Sequence, residues 1–169
     1  MSLVLSLGSN LGSPIDNLKT CKGKLSDFFT EIASSQVYES TPTDFYDQPN
    51  FCNQLIEYEI PKIEYLACLD ILQNIEIEMK RKKEIPKGPR LIDIDIIFWG
   101  RETYFDDNLV IPHPRWKNRS FIVIPLMELP FYTNFKDFIK FDLISLESKI
   151  KPLSKKINYP MLVDGHIMT

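Results

Sequence analysis

The order of elements readable in this chain is strand, helix, strand, strand, helix, strand. It predicts an α+β fold: a ferredoxin-like antiparallel sheet, the split βαβ, with helices packed on one face and a C-terminal extension. Three observations carry this. Apolar residues recur at helical period over Ile15 to Phe29 and over Ile63 to Met79. The runs between them alternate or are rich in β-branched residues, and breakers (Gly8-Ser9-Asn10-Leu11-Gly12, Pro61, Gly88-Pro89) separate the runs. The 169 residues are expected to form a single domain, with a core over about 2–130 and an extension over 131–169.

Leu3, Leu5 and Leu7 mark the first strand, which ends at the glycine-rich turn. Ser13-Pro14 supplies an N-cap and a proline at the first helical position, and Ile15, Leu18, Cys21, Leu25, Phe28 and Phe29 form one helical face. A Gly-Ser-Asn-x-Gly turn before a helix can cradle an anion. It lacks the Walker lysine and the Gly-x-Gly-x-x-Gly spacing, so a tight structural turn is the favoured reading. Ile32 to Ser40 reads as one strand, and Thr41 to Asn50 as a long loop of the kind that carries function. The strand Leu55 to Ile60 follows, with Phe51 and Asn53 at its entrance pointing the same way. An aromatic face beside an amide suits a flat heterocycle; a core Phe and a capping Asn is the plainer alternative. Gln73 and Glu76 share the polar side of the second helix, next to a basic loop.

Gly88 to Gly100 contains the most informative strand. Alternation puts Asp93 and Asp95 on one face, roughly 6 to 7 Å apart, and Ile92, Ile94, Ile96 and Phe98 on the other. Alone, the pair fits a wet edge strand equally well. Lys80, Arg81, Lys82, Lys83, Lys87 and Arg90 lie just upstream, with Glu84 the only acid among them. Carboxylates beside such cations suit a polyphosphate bridged by Mg²⁺, where the metal balances the Asp groups and the basic side chains take the remaining oxygens. Downstream, His113 stands between prolines six residues before Arg119 and is a poor zinc candidate. Phe121 to Leu129 is apolar and helix-like, and the pattern weakens after Pro130.

Apolar content of 44% and charged content of 25% are those of a folded soluble chain. A net charge of -3 argues against general nucleic-acid binding, although the local basic cluster keeps an RNA-binding module as an alternative. Cys21, Cys52 and Cys68 are odd in number and lack Cys-x-x-Cys spacing, which fits reduced thiols in a cytoplasmic protein. There is neither a leader signature nor an apolar run of about 18 residues. The expectation is a cytoplasmic monomer with no membrane or nucleic-acid partner.

Taken in order, Leu7-Gly8-Ser9-Asn10-Leu11-Gly12, Ser40-Thr41-Pro42, Asp47 to Asn53, Gly88 to Asp95, Ile111-Pro112-His113 and Asn118-Arg119 resemble the 6-hydroxymethyl-7,8-dihydropterin pyrophosphokinase family, HPPK. The resemblance implies transfer of the β,γ-pyrophosphoryl group of ATP to the pterin hydroxymethyl oxygen in folate biosynthesis, leaving AMP. It implies that Asp93 and Asp95 hold two Mg²⁺ ions. Phe51 and Phe121 would sandwich the pterin, with Asn53, Thr41, Pro42, Thr43 and Asp44 reading its edge. Gln73, Glu76, Lys83, Arg90, Ile96, His113 and Arg119 fall where the family contacts ATP. Arg81, Arg90 and Asp95 carry the catalytic roles. The residues leave open whether Asp95 takes the hydroxyl proton or metal activation of the hydroxyl suffices. Lys83 stands where many members have an arginine and Lys87 where an aromatic residue is common, so a degenerate pterin or nucleotide binder is a further alternative.

Overall fold

The computed structural model describes residues 1–42, 47–79, 88–141, 150–153, 162–163 and 166–167. Its centre is a six-stranded antiparallel sheet. β1 (Ser2–Ser9) lies between β5 (Asp93–Trp99) and β4 (Phe51–Glu59). β4 pairs on its other side with β2 (Glu31–Ser34) and β3 (Tyr38–Ser40), and β8 (Ile150–Pro152) adds to β3 through Ser40 and Ile150. Each βαβ unit is thus split by a strand of the other, as the element order predicts. A short ribbon, β6 (Tyr104–Phe105) with β7 (Val110–Ile111), follows β5.

α1 (Pro14–Leu25) and α2 (Tyr65–Glu78) cover one face of the sheet. There Leu18, Leu25, Leu72 and Ile75 pack on Leu3, Leu5, Ile56 and Ile94. The other face is also dry. Val4, Leu55, Ile97 and Phe98 pack against Ile122, Val123 and Leu126 of α3 (Ser120–Leu126) and Phe131 of α4 (Pro130–Phe135). Strands apolar on both faces, such as Leu3-Val4-Leu5, need cover on both sides. Buried Glu57 ties these layers together: Ser2 Oγ donates to its Oε1 (2.7 Å) and the Phe131 N–H to its Oε2 (2.8 Å). Cys21, Cys52 and Cys68 are free and buried, and burial pushes the Cys21 and Cys68 thiols up to about 12. Among the described residues no helix is long and apolar enough to cross a membrane.

Five sequence expectations need correction. Helix α1 stops at Leu25 rather than Phe29; Phe29 reaches the core from a following turn, while Ile15 and Phe28 are exposed. The expected strand Ile32–Ser40 is broken at Ser35. The Ser35 hydroxyl accepts the Leu55 N–H (3.0 Å), so a side chain replaces a backbone rung between β2 and β3. The strand expected from Leu55 begins at Phe51, which puts Phe51 and Asn53 inside the ladder, and α2 begins at Tyr65 rather than Ile63. Finally, Phe98 does not share a face with Ile92, Ile94 and Ile96. The register jumps from Leu5–Ile96 to Val4–Phe98, and the extra Ile97 turns both itself and Phe98 towards α3 and α4.

Leu72 is fully buried beneath α2. Leu72→Ala is expected to lower unfolding free energy by about 2–5 kcal/mol with an unchanged denaturant slope, read from urea melts.

Candidate active site

The end of β1 and the starts of β4 and β5 meet on the face shared with α3. Cross-strand register decides what stands there. Gly8 lies opposite Asn53 on one side and Asp93 on the other, and Ser6 lies opposite Leu55 and Asp95. Residues directly opposite project to the same face. A cleft of about 590 Å³ opens over this floor. Its other walls are Ser40, Thr41, Pro42, Gln48, Phe51, Arg90, Arg119 and Phe121. Small residues on β1 keep the floor low: a Cβ on Gly8 would stand 3.4 Å from Asn53 Oδ1 and 3.9 Å from the Phe51 ring. Buried Asn53 donates to Ser40 Oγ (2.7 Å), which fixes its amide across the floor.

Two arginines link the aromatic and acidic walls. Arg90 Nη1 pairs with Asp93 Oδ2 at 2.7 Å, and its guanidinium sits 5.8 Å from the Phe51 ring centre. Arg119 Nη1 lies 3.8 Å from Asp95 Oδ2, with its guanidinium 5.4 Å from the Phe121 ring centre. Planar cations suit both contacts at once.

Asp95 lies low in the cleft, with 39% of its side chain exposed. Desolvation, then the charge of Asp93, raise its carboxyl to about 7, and Arg119 opposes them. His113 Nε2 is 4.0 Å from Asp95 Oδ2, yet burial and the charges of Arg119 and Arg115 hold the imidazole down to about 4. It is therefore neutral at pH 7. Its Nδ1 accepts the Arg115 N–H (3.1 Å), which leaves Nε2–H as a donor towards the cleft.

The loops around the cleft converge on Asn10, which is buried. Its Nδ2 donates to Gln48 Oε1 and to the Pro49 carbonyl, both at 3.0 Å. Its Oδ1 accepts the Arg90 N–H (2.9 Å), and its own N–H donates to the Arg90 carbonyl (3.1 Å). The glycine-rich turn is thus a structural joint, the favoured of its two sequence readings.

Of the residues singled out in the sequence, Thr41, Pro42, Phe51, Asn53, Arg90, Asp93, Asp95, Arg119 and Phe121 line the cleft. Thr43, Asp44, Arg81 and Lys83 lie outside the described residues. Gln73 is exposed on α2 and is not part of this cleft. Glu76 is not on a solvated face, as expected, but buried; its Oε1 accepts the Ile94 N–H (2.8 Å) at the outer edge of β5. Glu76 therefore braces the segment between the two aspartates from behind. The Ile96 side chain is in the core, so only its backbone, which shares the outward direction of Ile94, faces that edge. Sequence reasoning missed Ser6, Gly8, Ser40 and Gln48 as walls and Asn10 as the joint. A visible signal existed for two of them, because Ser6 and Gly8 are small where they alternate with Leu5 and Leu7.

Comparison with known proteins adds to this geometry. Residues 4–130 match the family model described as 7,8-dihydro-6-hydroxymethylpterin-pyrophosphokinase (HPPK). The chain is 33% identical over 127 residues to the 2-amino-4-hydroxy-6-hydroxymethyldihydropteridine pyrophosphokinase of Bacillus subtilis, covering 74% of this chain and 75% of that protein. It is 40% identical over 129 residues to the folic acid synthesis protein fol1 of Pneumocystis carinii, covering 76% of this chain but 17% of that protein. Against the folate synthesis bifunctional protein of Arabidopsis thaliana the identity is 36%, over 75% of this chain and 26% of the relative. The chain thus spans about a quarter or less of these longer relatives. Among solved structures, wild-type Plasmodium falciparum HPPK-DHPS with pteroate superposes with a TM-score of 0.63 at 16% identity, over 89% of this chain and 45% of that one, a likeness of fold.

The Asp95 carboxyl has a pH signature in the metal-free protein. Its folded value of about 7 lies above its ordinary 3.8, so the folded state binds the proton more tightly and stability drains away as pH rises between those values. Relative to wild type, Asp95→Asn is expected to gain stability from about pH 4 to 7 and hold that gain above, measured by thermal melts in EDTA; equal melting profiles at every pH would refute the assignment.

Proposed function

The chain belongs to the 7,8-dihydro-6-hydroxymethylpterin-pyrophosphokinase family, and from that premise we propose that it transfers the β,γ-pyrophosphoryl group of ATP to the hydroxymethyl oxygen of 6-hydroxymethyl-7,8-dihydropterin. The new bond joins that oxygen to the β-phosphorus, the bond from the β-phosphorus to the α-phosphate oxygen breaks, AMP leaves, and the hydroxyl proton is released. One observation carries the reading: a single cleft floor brings Phe51, Phe121 and Asn53 together with Asp93, Asp95, Arg90 and Arg119. An aromatic slot with an edge-reading amide and an acid-and-cation wall are the two halves that a pterin and a magnesium triphosphate require.

The donor set fits Mg²⁺. Two carboxylates on one face, one of them without full compensation, supply hard oxygen ligands but too few to hold a cation alone, so phosphate oxygens must complete the shell. Asp93 and Asp95 would hold the metal. When bound, it would draw the triphosphate to the carboxylates and offset charge that develops there. Arg90, paired here with Asp93, would then be free to turn to the phosphate oxygens and grip them with two parallel N–H groups. Arg119 is placed to do the same. Neutral His113 offers Nε2–H without adding charge, and the outward backbone of Ile96 is available to a base at the sheet edge. The bracing of Ile94 by Glu76 holds both aspartates at fixed spacing, which is the positioning that phosphoryl transfer depends on.

The RNA-binding alternative loses its platform, because such modules stack bases on an open sheet face and both faces here are covered by helices.

Purified protein incubated with the pterin, ATP and Mg²⁺ is expected to yield AMP and pterin diphosphate in equal amounts, followed by chromatography and abolished by EDTA. ADP in place of AMP would overturn the reaction assignment, and binding of both ligands without turnover would leave only the degenerate binder. Arg90→Ala is expected to lower kcat by about 10²–10³-fold, as for other pre-organised electrostatic stabilisers, and Asp95→Ala to abolish turnover without unfolding the chain.

A further inference from the structure

We infer that Asn10 is a positioning residue that couples the ring-holding side of the cleft to its phosphate-holding side, an inference that rests on the function proposed above. The two sides approach Asn10 through different chain segments. Gln48 and Pro49 lead directly into Phe51, while Arg90 carries the ion pair to Asp93 and lies over the Phe51 ring. One buried amide holds both segments, accepting from the backbone of one and donating to the backbone of the other. A ligand that tightens either segment therefore tightens the amide's grip on the other, and the second ligand finds its wall already ordered. Backbone partners make the joint independent of side-chain choice at Pro49 and Arg90. Removing it takes a partner from the part-buried Arg90 N–H and from the Pro49 carbonyl at once.

Asn10→Asp separates the two arms. A carboxylate still accepts the Arg90 N–H but repels the Pro49 carbonyl, so only the arm to 48–50 is cut. Calorimetric titrations use α,β-methylene ATP with Mg²⁺, whose P–C–P bridge replaces the scissile oxygen, and 6-hydroxymethyl-7,8-dihydropterin, each alone and each in the presence of the other. In the wild type each ligand is expected to tighten the other by about tenfold, within the usual range of coupled sites. In Asn10→Asp each ligand alone is expected to bind within about threefold of wild type, while the mutual tightening falls below about twofold. Coupling retained in the variant, or no coupling in the wild type, overturns the inference. So does a loss of single-ligand affinity as large as the loss of coupling, since that is what a merely structural role predicts. A wild type that binds neither ligand overturns the proposed function itself. Hydrogen exchange on the wild type covers a variant that fails to fold. The pterin alone should slow exchange of the Arg90 amide, and the nucleotide alone should slow the amides of Gln48 and Asn50; protection confined to each ligand's own side overturns the coupling.

Discussion

The two-sided pairing of β1 is the constraint on which the rest of this molecule depends. Because β4 and β5 both register on it, Gly8 stands between Asn53 and Asp93, and Ser6 between Leu55 and Asp95. The recognition amide and the carboxylates come from segments some forty residues apart in sequence, so no local motif holds them together. A slip of one residue between β1 and β5 would turn Asp93 and Asp95 into the layer beneath α1 and α2 and bring Ile94 to the cleft. Burial guards against that slip, since β1 carries large apolar residues on both faces far from the site, at Leu3, Val4 and Leu5, and small ones on the cleft face where it reaches the site, at Ser6 and Gly8.

Charge in the cleft is left uneven. Asp93 has a close arginine, while Asp95 has Arg119 at 3.8 Å and a histidine too buried to be cationic. The surplus negative charge is concentrated at Asp95, and its cost is visible in the raised carboxyl. The same arginines that soften the acids also cap the two aromatic walls. Aromatic and charged parts are therefore one connected wall.

Much of this was legible in the sequence. Period-two alternation placed Asp93 and Asp95 together, and parity placed Phe51 with Asn53, because side-chain direction on a strand follows from counting alone. Counting fails where the ladder is interrupted. The bulge at Ile97 sent Phe98 to the wrong face, and the Ser35 hydroxyl broke a run that alternation read as continuous. Helical period misjudged Glu76 for a different reason. A glutamate on a helix is usually solvated, and only the third dimension shows the unpaired strand N–H of Ile94 waiting opposite it. Asn10 was invisible as a joint for the same cause, since all but one of its partners are backbone groups and backbone leaves no mark in a sequence.

Beyond the stretch matched by the family model, residues 150–153 return to the sheet. Leu153 donates its N–H to the Val37 carbonyl (3.0 Å), and Ile150 pairs with Ser40, the residue that steadies Asn53. β3 therefore has no bare flank along this stretch. A piece trimmed to residues 4–130 would present a row of unpaired N–H and C=O groups next to the cleft, a template on which another chain can add a strand. The late segment covers that edge, and the sheet extends past the boundary of the family match.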